Sequence, residues 1–200
     1  MEWVQEPFCD GCGDPVYGTV GHVYRCSFCA EHRPWFDRAR SAARYRGPLP
    51  ALMQAFKYGR AVWLTPDFAA MLEACVRAQW PNTRFDAVVA VPLHPRKRRE
   101  RSYNQSQRLA SALARRLKTQ DMSRVLCRVR PTTTQTGLNA RQRRANVRDA
   151  FAARHRDWIE GRVFLLVDDV MTTGATLNAC SRALKKAGAR ETHAVTVARG

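Results

Sequence analysis

Leu49, Leu52, Met53 and Phe56 recur at three- and four-residue spacing, and so do Leu64, Phe68, Met71, Leu72, Cys75 and Val76. This spacing gives each of two helices one apolar face, with Lys57-Tyr58-Gly59 as the break between them. The period then changes. Asp86-Ala-Val-Val-Ala-Val-Pro92 is a short apolar run closed by proline, the pattern of a buried parallel strand. Leu109, Leu113 and Leu117 predict a helix from about Tyr103 to Lys118, and Arg124–Val129 predicts another strand. Val163–Val167 is apolar at every position and predicts a third strand. Leu177, Cys180, Ala183, Leu184 and Ala187 then mark a helix with Gly188 at its C-terminal cap, and Thr192–Ala198 predicts a last strand. Residues 130–149 are polar and basic and predict a long mobile loop, with room for one helical turn. Strands alternating with helices imply an α/β fold: right-handed crossovers and a parallel sheet covered on both faces.

The N-terminal stretch follows a different logic. Cys9-Asp-Gly-Cys12 and Cys26-Ser-Phe-Cys29 enclose thirteen residues. Each C-x-x-C bends the chain so that two thiolates face one point, and two such bends complete a tetrahedral sulfur site suited to Zn²⁺. Cys9, Cys12, Cys26 and Cys29 are therefore the metal candidates, and a closed four-sulfur shell makes that zinc structural. His22 and His32 lie nearby, as alternative ligands or as surface residues. Cys75, Cys127 and Cys180 are isolated among apolar residues and are expected to be buried thiols. The expected organisation is a four-cysteine zinc finger or ribbon over residues 1–40 and one α/β domain over residues 41–200.

Composition adds a partner class. Of 200 residues 45% are hydrophobic and 26% charged, as in ordinary packed domains. No apolar run approaches the roughly 20 residues of a membrane span. The opening Met-Glu-Trp-Val-Gln-Glu-Pro does not read as a secretory leader, so the expectation is a cytoplasmic protein without membrane insertion. Lys and Arg number 34 against 17 Asp and Glu, a net charge of +17 that favours polyanions. The charge clusters at Arg96, Lys97, Arg98, Arg99 and Arg101, and again at Arg141, Arg143, Arg144 and Arg148. Trp35 and Phe36 are expected to be accessible aromatic residues for base stacking.

The sharpest chemistry lies in Val163–Thr176, V-F-L-L-V-D-D-V-M-T-T-G-A-T. Ligands of open parallel sheets bind at the carboxyl ends of strands. Asp168 and Asp169 are expected there, and carboxylates in such a place need hydroxyls, cations or water. The following small residues lead into a helix whose first amides form an anion cradle. One turn thus supplies a phosphate seat beside two carboxylates, which matches a sugar phosphate with vicinal hydroxyls.

This stretch resembles the phosphoribosyl-pyrophosphate (PRPP) motif of type I phosphoribosyltransferases. Val91-Pro-Leu-His-Pro-Arg-Lys-Arg-Arg-Glu-Arg-Ser-Tyr-Asn-Gln105 and Thr134-Gln-Thr-Gly-Leu-Asn-Ala-Arg-Gln-Arg-Arg-Ala-Asn-Val-Arg148 resemble the signatures of the ComF family. So do the cysteine pairs and the segment from Arg44-Tyr-Arg-Gly-Pro to Phe-Lys57-Tyr-Gly59. The likeness covers nearly the whole chain, with Ser102 standing where the commonest form has glycine.

The resemblance implies a Rossmann-like type I phosphoribosyltransferase domain binding PRPP together with Mg²⁺. Its site would comprise Asp168, Asp169, Met171, Thr172, Thr173, Gly174, Ala175 and Thr176, with Pro92, Leu93, His94 and Arg96 facing them. Asp168 and Asp169 would be the catalytic pair in a working transferase. The family's association with natural transformation implies single-stranded DNA as a partner on the cytoplasmic side, and DNA-uptake proteins beside it. Arg98, Arg99, Arg101, Arg141, Arg143, Arg144 and Arg148 are the nucleic-acid candidates, and the last four suit closure over departing pyrophosphate equally well. The sequence shows no recognition element for an acceptor base. A DNA-handling accessory, an active transferase and a PRPP-sensing regulator all stand at this stage.

Overall fold

The computed structural model describes residues 1–16, 18, 20–94, 99, 102–130, 142, 146–147 and 149–200. α1 (Ser27–His32) closes the cysteine segment. It is followed by β1 (Arg38–Arg44), α2 (Leu49–Tyr58), α3 (Thr65–Gln79), β2 (Ala87–Ala90), α4 (Gln105–Arg116) and β3 (Gln120–Asp121). β4 (Leu126–Arg128), β5 (Phe151–Ala153), β6 (Val163–Met171), α5 (Ala175–Lys186) and β7 (Glu191–Arg199) complete the order. Local chemistry sets the helix ends. Asn104 accepts the Ser106 N–H at 3.1 Å to cap α4, and Gly188, at φ 101°, turns the chain just beyond α5.

Five strands form one parallel sheet in the order β1-β7-β6-β2-β3. Successive side chains of β6 point to opposite faces, so its continuous apolar run feeds two cores. Leu165 and Val167 pack with α2, α3 and α4 through Met53, Phe56, Phe68, Leu72, Leu109 and Leu113. Phe164 and Leu166 pack with α5 and the cysteine segment through Leu177, Leu184, Phe36 and Cys29. This is the α/β parallel sheet, covered on both faces, that the periodicity predicts.

Several local expectations change. β6 does not stop at Val167: Asp168 lies in register with Thr196, Val170 with Ala198 and Met171 with Arg199. The neighbouring β7 keeps offering backbone partners, so both acids lie inside the strand. The strand expected over Arg124–Val129 shortens to β4 and pairs antiparallel with β5, outside the main sheet. The sheet edge is taken instead by the two polar residues of β3, too few to show a period. Arg38–Arg44 also joins the sheet, and the N-terminal residues cover its outer edge: Val4 N–H donates to Ala42 O at 3.0 Å and Arg44 N–H to Glu2 O at 2.7 Å. Phe36 is buried rather than accessible, because it packs under Gly174, whereas Trp35 is exposed. Cys180 is buried, and Cys75 and Cys127 are half-buried. Most of the expected loop 130–149 lies outside the described residues. Among the described residues no helix is long and apolar enough to cross a membrane.

Phe56 is fully buried, meets Phe68 edge-on at 5.2 Å, and precedes Lys57 on α2. Phe56→Ala is expected to cost about 3–5 kcal/mol, read as a lower urea midpoint with an unchanged slope.

Candidate functional site at the carboxyl end of the sheet

β2 and β6 lie side by side, and Val91 N–H donates to Val167 O at 2.9 Å. Pro92–His94 and the residues following β6 therefore leave the sheet at the same end. Asp169 is only 5% exposed, yet its carboxylate has both kinds of partner that burial demands. Lys57 Nζ lies 3.0 Å from Oδ1, and Gln105 Nε2 donates to Oδ2 at 2.8 Å. Asp168 is partly exposed and accepts from Ser106 Oγ at 2.8 Å and from the Asp169 N–H at 2.9 Å. Burial first, and the neighbouring Asp169 charge second, push the Asp168 carboxyl up to about 7. Asn104 donates to Val91 O at 3.1 Å while capping α4. Three consecutive residues, Asn104, Gln105 and Ser106, thus tie the exit of β2 to both acids.

Beyond Met171 the chain turns through Thr172–Gly174 into α5. Gly174 has φ 70°, a left-handed conformation that glycine adopts without strain, and a Cβ there would sit 2.7 Å from the flexible end of Met171 and displace it. The α5 N-terminus has no side-chain cap at Gly174, while Ala175 N–H reaches Thr173 Oγ1 at 3.4 Å. Thr172, Thr173 and Thr176 are partly exposed, whereas Met171, Gly174 and Ala175 are buried behind them. The arrangement offers backbone amides, hydroxyls and a helix dipole to an anion, next to the acid pair.

The turn is fixed from outside. Arg199 donates from Nη1 to Thr172 O at 2.6 Å and grips Asp14 Oδ1 through Nε and Nη2 at 2.9 and 2.8 Å. Gly200 N–H donates to Met171 O at 2.9 Å, and Trp35 N–H to Asn178 Oδ1 at 2.6 Å. Asp14, Trp35 and Phe36 all come from the cysteine segment and its exit.

The four cysteines converge as their spacing predicts. The Sγ atoms of Cys9, Cys12, Cys26 and Cys29 lie within 4.8 Å of one another. Cys12 and Cys26 are 3.6 Å apart, close to the roughly 3.8 Å edge of a tetrahedron with metal–sulfur bonds of about 2.3 Å. Cys26 N–H donates to Cys9 Sγ at 3.3 Å, the backbone support a thiolate ligand needs. Hydrogen bonds with Cys12 and then Cys29 hold the Cys9 thiol well below its ordinary pKa, and those with Cys12 and then Cys9 push Cys29 up. The cluster can hold a metal ion. His22 and His32 are exposed and stand outside it. Gly13, at φ 66°, lets the segment lie on β1, since a Cβ there would meet Ala39 O at 2.6 Å.

The structure brings Pro92, Leu93, His94, Asp168, Asp169 and Met171–Thr176 to one end of the sheet, and Arg99 is exposed. Arg96, Arg98, Arg101, Arg141, Arg143, Arg144 and Arg148 lie outside the described residues. Sequence reasoning did not single out Lys57 or Ser106. A lysine at a helix end and a serine inside a helix carry no chemical pattern of their own. The available signal was that both lie in or beside segments that resemble the family.

Residues 104–200 match the phosphoribosyl transferase domain. Competence protein F of Haemophilus influenzae is 34% identical over 189 residues, covering 92% of this chain and 81% of that protein. DNA utilization protein YhgH of Escherichia coli K12 is 34% identical over 184 residues, covering 90% and 79%. Among solved structures, glutamine PRPP amidotransferase from B. subtilis, complexed with ADP and GMP, is similar at 19% identity and a TM-score of 0.47, over 72% of this chain and 30% of that one. The chain therefore belongs to the family of competence protein F and DNA utilization protein YhgH, with a phosphoribosyltransferase domain built on its parallel sheet.

Proposed function

We propose that this protein binds PRPP in the cytoplasm and handles single-stranded DNA during natural competence, with DNA-uptake proteins as its partners. Its parts would be a zinc finger over residues 1–40 and a PRPP-binding domain over residues 41–200. The observation that carries the PRPP reading is the acid pair Asp168–Asp169 beside the glycine turn into α5, with its donors already in place. Thr172–Thr176 would seat the 5′-phosphate on backbone amides and hydroxyls. Asp168 and Asp169 would take the ribose 2′- and 3′-hydroxyls, and Pro92–Arg96 would face the pyrophosphate. Mg²⁺, when bound with PRPP, would offset the pyrophosphate charge. The DNA reading is supported by the net charge of +17 and by the relatives named for competence and DNA utilization. The donor set of four cysteines supports zinc, held structurally, as the metal of the finger.

Ribosyl transfer to an acceptor is a second reading. One observation favours it: a carboxyl poised near neutrality can hold or release a proton beside the ribose. Pyrophosphate release from PRPP in the presence of candidate acceptors would separate turnover from binding alone.

Isothermal titration with PRPP and Mg²⁺ is expected to show binding by the native protein. The double variant Asp168→Asn/Asp169→Asn should show none, and full binding by that variant would overturn the site. The same acid gives a stability signature. With its folded pKa about 7, above the ordinary 3.8, Asp168 keeps a proton between about pH 4 and pH 7 that the unfolded chain has lost. Its contribution to stability therefore falls as pH rises through that window, and the whole penalty is present above pH 7. Asp168→Asn should melt higher than native at pH 8, and the gain should vanish near pH 4.

Metal analysis should find one zinc per chain, lost in Cys9→Ser. Asp14→Ala releases Arg199 without touching a ligand, so it should keep its zinc and weaken PRPP binding about tenfold. Unchanged PRPP affinity in Asp14→Ala would show that the finger does not support the turn.

A further inference from the structure

A second concave surface adjoins the acid-pair site without including the acids or the glycine turn. Its wall includes the edge strand β3 together with Pro92, Leu93, Trp158 and Arg162. Its volume of about 1390 Å³ exceeds the roughly 300–1,000 Å³ typical of small-molecule pockets, so it suits an extended ligand. None of residues 168–176 contributes to its wall.

The chemistry of the wall selects the ligand. Five arginines line it against one carboxylate, Asp121. Asp121 is occupied by donors of its own: Gln107 Nε2 at 2.9 Å, Ser123 N–H at 3.0 Å and the Ser111 hydroxyl. Arg108, Arg124 and Arg154 are exposed, and among the described residues no carboxylate forms an ion pair with any of the three. Some arginines elsewhere are paired, as Arg44 with Glu2, Arg116 with Glu73 and Arg199 with Asp14, while Arg46, Arg60 and Arg84 are exposed without an ion pair among the described residues. What sets the groove apart is that its charges share a wall with aromatic rings. Aromatic rings stand between the charges. Trp158 is 52% exposed while stacking on His155 at 4.9 Å and 25°, so its ring is supported in place and still accessible. Tyr103 carries the Arg108 guanidinium 5.2 Å above its ring.

We propose that this groove is the track for a single-stranded nucleic acid, with phosphates on Arg108, Arg124 and Arg154 and an unpaired base on Trp158. The proposal rests on the DNA reading above and gives it a location. Exposed guanidiniums lining one groove match a repeating anion, and a supported indole offers a face that any base can stack on. Duplex DNA keeps its bases paired and cannot use that face. Pro92 and Leu93 belong both to this wall and to the loop proposed to face pyrophosphate, so strand and PRPP would occupy neighbouring seats.

The test is fluorescence anisotropy with a labelled oligothymidylate over a series of salt concentrations. Native protein should bind it, with unlabelled duplex of equal length competing poorly. Trp158→Ala should weaken binding about tenfold, and Trp158→Phe should restore most of it. Arg124→Ala/Arg154→Ala should lower the slope of log K against log salt by about 1.4, two phosphates at about 0.7 each. PRPP titration and melting temperature should stay native in these exposed variants, which separates the groove from the acid pair. Native affinity and salt slope in both variants would overturn the groove while leaving DNA binding standing. Duplex competing as well as single strand would overturn the stacking role. No binding by native protein would overturn the DNA reading and the groove together, with the PRPP titration untouched.

Discussion

Two adjacent carboxylates inside a buried parallel strand are the constraint around which the rest of this molecule is arranged. Where the acids stand, β7 still pairs with β6 while β2 has ended, so Asp168 keeps some exposure and Asp169 is almost shut off from water. Asp169 is therefore supplied with an ammonium from α2 and an amide from α4, and Asp168 with a hydroxyl from the same turn of α4. These contacts tie the end of α2 and the start of α4 to the strand. They also explain why Asn104-Gln105-Ser106 is wholly polar at the head of an otherwise apolar-faced helix. Burial without such partners would cost several kcal/mol per charge. The raised pKa of Asp168 is what remains of that penalty.

The glycine turn carries a different cost. Its amides are left with little side-chain capping, Ala175 N–H reaching Thr173 Oγ1 only at 3.4 Å, and the turn takes its support from behind. Phe36 packs beneath Gly174, and Arg199 bridges the Thr172 carbonyl to Asp14. Both supports trace to the cysteine segment, which lies against β1 through Gly13 and the Ala39 N–H bond to Gly11 O at 2.8 Å. A metal that fixes the cysteines therefore fixes a surface on which the turn rests. The finger and the sheet share one apolar core, in which Cys9, Cys12 and Cys29 pack with Leu166 and Phe164.

The elements that were legible in the sequence are those with a period and a burial reason. Val163–Val167, Leu109–Leu113 and the two helices around Phe56 and Phe68 announce themselves because each must fill a core. The acid pair, the glycine turn and the cysteine cluster were legible because their chemistry has a spacing. What stayed hidden depends on pairing across the sheet. β3 is two polar residues held by Val88 and Ala87, and β1 reads as arginine-rich surface until β7 gives it a partner. Phe36 looked accessible because nothing local says that Gly174 will pass over it. Lys57 and Ser106 were hidden for the same reason: their role is defined by an acid more than sixty residues away in Ser106 and over a hundred in Lys57.

The excess positive charge divides by position and not by residue type. Arg40 is 5% exposed and spends its donors on Asp10 O, Ala39 O and Gln79, so it holds the finger to the sheet and offers nothing to a partner. Arg199 is likewise used up between Asp14 and Thr172. Net charge alone counts these equally with Arg124 and Arg154, although only the latter can release counterions when an anion arrives. A bound polyanion would be guided by uncommitted arginines, and three of these, Arg108, Arg124 and Arg154, share the β3 edge with an accessible, supported indole. An edge strand of two residues is also the place where a parallel sheet is least able to recruit another strand, because so few of its backbone groups are offered. The short β3 leaves that flank to side chains, and the side chains placed there are guanidiniums and an aromatic ring.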